Sequence, residues 1–121
     1  MNHRYKKIHW TEHAKVKMKQ YGLSKYKLLE LLSKPERREQ GIVEGTTAVM
    51  KTKKIYRQLS LAKVAKSSQK APGEVWLMYK DAGDLRKIIS AWRYPGISKP
   101  GENIPIPEDI RQELLKIKEL V

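Results

Sequence analysis

Hydrophobic and polar positions alternate with a period of two in two neighbouring segments of the chain, and this alternation predicts a β-hairpin. The segments are Glu74–Lys80 and Leu85–Tyr94, both rich in β-branched and aromatic residues. Asp81-Ala-Gly-Asp84 separates them, and we expect its outer two residues to pair across a two-residue turn. Pro95 cannot donate to a strand ladder, so the second strand should end just before it.

The second strand of this hairpin should present two different faces, because successive side chains point to opposite sides of a sheet. One face is a candidate site and would carry Arg86, Ile88, Ser90, Trp92 and Tyr94. The other face is a candidate core edged by charge and would carry Lys87, Ile89, Ala91 and Arg93.

A helical period marks three further elements. Thr11 is a suitable N-cap for a first helix, which should end at Gly22. Ser24 can cap a second, leucine-rich helix through about Ser33. Pro107 suits the first position of a third helix at the C-terminus.

The remaining segments complete an α+β pattern in one domain, residues 1–121. We expect residues 1–10 to form a short extended segment and residues 35–41 to form a charged connecting loop. Residues 42–44 and 46–50 predict strands, or one strand broken at a glycine, and 63–73 predict a mobile basic loop. We therefore expect two N-terminal helices packed on a three- to four-stranded, mostly antiparallel sheet, followed by a C-terminal helix.

Charge is the strongest signal in the composition. Lys and Arg number 26 against 13 Asp and Glu, which makes the formal net charge +13 over 121 residues. Residues 1–35 carry nine basic and two acidic side chains, and 51–70 carry seven basic and none acidic. Such a surface favours contact with a polyanion, and RNA is the expected partner. The alternative is a generically basic, soluble protein.

The sequence lacks the residues needed for disulfides, metal sites and membrane spans. Cysteine is absent, which excludes disulfides and thiolate metal sites. Acidic residues do not cluster, so we expect no metal and no cofactor. No apolar run approaches the roughly 20 residues that cross a bilayer, so the expectation is a cytoplasmic protein with no membrane partner.

His13 is the most useful single residue for chemistry, because imidazole exchanges protons near neutrality. Lys17 lies one helical turn later on the same surface. An imidazole beside an ammonium could act as base or acid on a ribose hydroxyl while the cation steadies the phosphate. The alternative is a histidine at a helix start that bonds locally or packs on Trp10.

The hairpin could complete such a site. Tyr94 is the candidate acid, Arg86 or Arg93 the electrostatic stabiliser, and Ser90 a source of a hydroxyl. Core packing is the alternative for both Tyr94 and Ser90. Trp92 could stack on a base or belong to the core. The candidate phosphate-contacting residues are basic: Lys51, Lys53, Lys54, Arg57, Lys63, Lys66 and Lys87.

The run from Trp10 to Ser24 resembles the opening of a family of small prokaryotic domains, His-Ala-x-x-Arg-Met-x-x-Arg-Gly-Ile. Four positions match: His13, Ala14, Met18 and Gly22. Leu23 is a conservative change, while Lys17 and Tyr21 replace the two arginines. The family is grouped with the RelE-like, barnase-EndoU-colicin-RelE fold, and the resemblance implies a metal-independent ribonuclease or toxin paired with an antitoxin.

Three functional hypotheses follow. The first is a metal-independent endoribonuclease of toxin type that uses acid/base transesterification. The second is a non-catalytic RNA-binding module. The third is a basic interaction module that binds an acidic, antitoxin-like protein.

Overall fold

The computed structural model describes residues 6–52, 55–56, 70–71 and 73–116. These residues form an α+β fold in which a five-stranded mixed sheet has two helices on one face and one helix on the other. The elements in chain order are β1 Lys7–Trp10, α1 Glu12–Tyr21, α2 Lys25–Ser33, β2 Arg37–Gln40, β3 Thr47–Thr52, β4 Ile55–Tyr56, β5 Lys70–Ala71, β6 Glu74–Ala82, β7 Leu85–Tyr94 and α3 Glu108–Lys116.

Local sequence sets the ends of the first two helices as predicted. The hydroxyl of Thr11 accepts a hydrogen bond from the backbone N–H of Ala14 at 3.1 Å. Gly22 ends α1 in the left-handed conformation, with φ of 66°. The Ser24 hydroxyl caps α2 by accepting from the N–H of Lys27 at 3.1 Å. The predicted C-terminal helix is also present, as α3.

The sheet has more strands than expected, in the order β1-β7-β6-β3-β2. The prediction of three or four mostly antiparallel strands missed both edge strands, and β1 pairs with β7 in parallel. The predicted loop 63–73 falls largely outside the described residues, and the described pair Lys70–Ala71 forms a short ladder with Ile55–Tyr56.

Strand β2 was predicted as a charged connection, and its charge is accommodated by specific partners. The Arg37 side chain is buried and donates to the Glu39 carboxylate at 2.7 Å and to Ser98 Oγ at 2.5 Å. It also lies over the ring of Trp76 at 5.3 Å. The expected strand 42–44 is instead part of a turn in which the N–H of Thr46 donates to the carbonyl of Val43 at 3.0 Å.

The hairpin forms, but its predicted register is wrong. The turn lies one residue later than expected, so that Ala82 pairs with Leu85. A β-bulge follows, because Tyr79 pairs with Ile88 whereas the preceding Met78 pairs with Ser90. The extra residue breaks the strict alternation on which the two predicted faces of β7 depended.

Each face of the sheet carries its own hydrophobic core. The core beneath α1 and α2 consists of Ala14, Met18, Leu23, Leu28, Leu31, Val49, Val75, Leu77, Tyr79, Ile88 and Ala91. The core beneath α3 consists of Val43, Ala48, Met50, Trp76, Met78, Ile89, Trp92, Ile104, Ile106, Ile110 and Leu114. Within the described ranges, no helix has both the length and the apolar character needed to cross a membrane.

Candidate functional site

A cluster of polar side chains lies where α1, β7 and α3 meet, and we call it the His13 cluster. Its members are His13, Lys17, Ser90, Asp109 and Glu113. These five residues come from three elements that are far apart in the sequence, α1, β7 and α3, so the tertiary fold creates the cluster.

The contact between α1 and β7 places His13. The Thr11 side chain that caps α1 also donates to the carbonyl of Ile88 at 2.8 Å and so ties the helix start to the strand. The bulge that follows Ile88 brings Ser90 opposite Met78. As a result, Nε2 of His13 lies 3.0 Å from Oγ of Ser90.

The ammonium of Lys17 is enclosed by acceptors. Its Nζ lies 3.2 Å from Asp109 Oδ2, 3.1 Å from Glu113 Oε1 and 3.0 Å from Gln20 Oε1. Asp109 and Glu113 are four residues apart, which places both carboxylates on one side of α3. Lys17 is therefore already neutralised and is not a free cation in this arrangement.

Burial and charge set the protonation of the cluster. Burial outweighs the nearby Glu113 carboxylate and holds the pKa of His13 below its ordinary value of 6.5. Burial acts to lower the pKa of Lys17 as well, but the hydrogen bonds and charges of Glu113 and Asp109 outweigh it and raise that pKa. His13 is consequently neutral near pH 7 and can accept a proton.

The cluster has a shielded interior and an open rim. Ser90 is fully buried and Lys17 is 4% exposed. The side chain of His13 is 13% exposed, whereas those of Glu113 and Asp109 are 44% and 51% exposed. Nδ1 of His13 lies 3.7 Å from the Glu113 carboxylate, on the side that leads to this rim.

Arg86 belongs to a different part of the molecule from His13. Its guanidinium forms two hydrogen bonds with the carboxylate of Asp81, at 2.7 and 2.9 Å, next to the hairpin turn. It also lies over the Tyr79 ring at 4.1 Å, on the face of the sheet that α1 and α2 cover. The prediction that Arg86 and Ser90 share a face is wrong, because the bulge lies between them.

Arg93 and Tyr94 also lie apart from the polar cluster. The Arg93 guanidinium donates to the carbonyls of Tyr21 and Gly22 at 2.7 and 3.2 Å, where it satisfies the C-terminal end of α1. Tyr94 is half-buried against the core beneath α3, and its ring lies beside Gly96.

Trp92 belongs to the core. It is fully buried and stacks on Trp76 with ring centroids 6.2 Å apart and planes 4° from parallel. Its indole N–H donates to the carbonyl of Pro105 at 2.9 Å. A ring enclosed in this way cannot receive a nucleobase, so the core alternative describes Trp92.

The predicted phosphate-contacting residues divide into two sets. Lys51 and Lys87 are half-buried residues of β3 and β7. The other five lie outside the described residues: Lys53, Lys54, Arg57, Lys63 and Lys66.

The sequence analysis did not identify Asp109 and Glu113 as part of the site. Their spacing of four residues on a predicted helix was the available signal, since it indicates a shared helix side. Nothing in that spacing specifies that α3 packs beside α1, because 92 residues separate Lys17 from Asp109.

A groove lies elsewhere in the described part of the chain. It has a volume of about 730 Å³ and lies between the β2 edge, residues 102–104 and Arg111 of α3. The acidic groups Glu39 and Glu102 line it together with Arg38 and Arg111. This mixed lining offers no proton-transfer pair, so the His13 cluster is the better candidate.

Comparisons with protein-family models, curated proteins and solved structures found no match to this chain. Within the described ranges, no group of three or more His, Cys, Asp or Glu side chains could hold a metal ion.

Proposed function

We propose that the protein is a metal-independent endoribonuclease of toxin type, with His13 as its general base. The observation that carries the proposal is the position of His13, whose imidazole lies between the Ser90 hydroxyl at 3.0 Å and the Glu113 carboxylate at 3.7 Å. The lowered pKa of His13 keeps the imidazole neutral and able to accept a proton near pH 7.

In the proposed reaction, Nε2–H of His13 donates to Ser90 and leaves Nδ1 as the base. Rotation of the half-exposed Glu113 side chain opens Nδ1 to a ribose 2′-hydroxyl. The hydroxyl proton passes to Nδ1, the 2′-oxygen bonds to phosphorus, and the bond from phosphorus to the 5′-oxygen breaks. The leaving 5′-oxygen takes a proton from water, and the hydroxide that remains takes the proton from Nδ1, so His13 is neutral again. The products are a 2′,3′-cyclic phosphate and a 5′-hydroxyl.

The other members of the cluster position the base. Ser90 fixes the imidazole ring through Nε2. Lys17 holds the Asp109 carboxylate in place after Glu113 rotates away, and the negative charge of Asp109 favours the imidazolium that forms. Lys17 thus has a positioning role in place of the phosphate contact first expected of it.

Two further observations support the proposal. The net charge of +13 favours a polyanionic substrate. The opening motif around His13 resembles that of domains grouped with the RelE-like, barnase-EndoU-colicin-RelE fold, and we propose the same finer fold for this chain. As in that group, an acidic antitoxin-like protein is the proposed partner.

The proposed activity is tested by incubating the purified chain in EDTA with single-stranded RNA and with DNA of the same sequence. We expect cleavage of the RNA only, with 2′,3′-cyclic phosphate ends, because the 2′-hydroxyl is the nucleophile. Equal cleavage of the DNA, or intact RNA, would refute the proposal.

The burial of Ser90 and Lys17 favours a second candidate, a non-catalytic RNA-binding module. In that case the His13 cluster only joins α1 to α3. Salt-sensitive RNA binding without cleavage, at every pH tested, would select this candidate.

A further inference from the structure

Three cationic or ionisable side chains lie side by side across three strands of the sheet. Lys80 of β6 pairs with Lys87 of β7, and Lys87 is in register with His9 of β1. Residues in register share a face, so these three side chains form a row, which we call the cationic strip.

The strip lies on the same face of the sheet as α3. Met78 and Ile89 stand two residues from Lys80 and Lys87 respectively, and both belong to the core beneath α3. Alternation therefore directs the two lysines to this face. His9 is exposed and the lysines are half-buried, so the strip borders this core and remains open to solvent.

The strip is electrostatically unfavourable by itself, because like charges directly opposite each other destabilise a strand pair. Within the described residues, neither lysine has an acidic group within ion-pair distance. A Cβ on Gly45 would lie 3.4 Å from the Lys80 ammonium, which places this charge beside the turn between β2 and β3. Across its three strands the strip spans about 10 Å.

We propose that the cationic strip binds the phosphodiester backbone of the RNA strand that enters the His13 cluster. Lys87 precedes Ser90 by three residues of one strand, a separation of about 10 Å. The strip would supply the cations that the cluster lacks, since Lys17 is already paired with two carboxylates. The identification of the ligand as RNA rests on the proposed function.

The test measures binding of a short 2′-O-methyl RNA, which cannot be cleaved, to Lys80→Met and Lys87→Met. Each substitution should weaken binding about fivefold at ~0.1 M salt and lower the salt slope by about one. Lys34→Met and Lys99→Met remove the same charge from exposed positions outside the three strands and should change binding little. Equal losses in all four variants, or unchanged binding by the strip variants, would overturn the proposal.

Thermal unfolding supplies an independent readout. Lys87→Met removes a like-charge contact and should raise Tm, so weaker binding by this variant cannot come from unfolding. Unchanged or lower Tm would contradict the repulsion between Lys80 and Lys87. If the wild type binds RNA through the strip but never cleaves it, the endoribonuclease proposal fails and the strip stands. If the wild type cleaves RNA and the strip variants bind it as well as the wild type does, the strip proposal fails and the endoribonuclease proposal stands.

Discussion

Nε2 of His13 lies 3.0 Å from Oγ of Ser90, although 77 residues separate them in the chain. The bond joins the first turn of α1 to the bulge in β7. The bulge and the helix start are therefore interdependent, because each positions one partner of the same hydrogen bond.

Replacing Ser90 with Ala should remove the partner of a largely buried imidazole nitrogen. We expect a loss of about 1–2 kcal/mol in the free energy of unfolding, measured by urea denaturation. Ser33→Ala is the control, since its exposed hydroxyl bonds only to the Glu30 carbonyl within its own helix. Equal losses in the two variants would show that the bond between Ser90 and His13 stabilises the fold no more than an exposed hydrogen bond does.

The pH dependence of stability should report the environment of His13. Its pKa is lowered in the folded chain, mainly by burial, so below the ordinary value of 6.5 the unfolded state binds more protons than the folded state. The free energy of unfolding should therefore fall as pH is lowered from above 6.5 towards the lowered folded-state pKa. Urea titrations at several pH values should show that the free energy of unfolding falls less steeply with pH in His13→Gln than in the wild type. Parallel curves would show that the pH dependence does not come from His13.

Arg93 should matter for stability more than for chemistry, because its guanidinium occupies two carbonyls at the end of α1. Arg93→Met should lower the free energy of unfolding by about 1 kcal/mol. The exposed Lys19 is also in the last turn of α1, so Lys19→Met tests for a general charge effect. A larger loss in the Lys19 variant would contradict the specific role of Arg93.

Trp92→Phe separates core packing from RNA stacking. The phenyl ring keeps a surface for a base but loses the indole N–H that donates to Pro105. We expect a loss of about 1–2 kcal/mol in unfolding free energy and unchanged RNA affinity in a fluorescence titration. A change in affinity without a change in stability would restore the stacking role.

The sequence predicted the features that depend on short-range signals. Thr11, Gly22 and Ser24 end or begin helices through their own side-chain or backbone chemistry, and the structure confirms each. The two strands of the hairpin were also predicted, although their register was not, because alternation is a property of each segment alone.

Features that depend on distant partners were not predicted. Alternation assumes a regular pleat, so it could not reveal the bulge before Ser90. The polarity of Arg37–Gln40 indicated a connection and not a strand. The sequence could not reveal that Arg37 is buried, because its partners Ser98 and Glu102 come from a distant part of the chain. The contribution of α3 to the His13 cluster was missed for the same reason.

The most direct measurement of the central claim is RNA cleavage in EDTA by wild type and His13→Ala under single-turnover conditions. Arg93→Met is the control for lost stability, and each variant is assayed well below its Tm. General-base catalysis contributes about 10²–10⁴-fold, so His13→Ala should lose at least 100-fold in rate while binding uncleavable RNA normally. Cleavage by His13→Ala at the wild-type rate would contradict the role of His13 as the base.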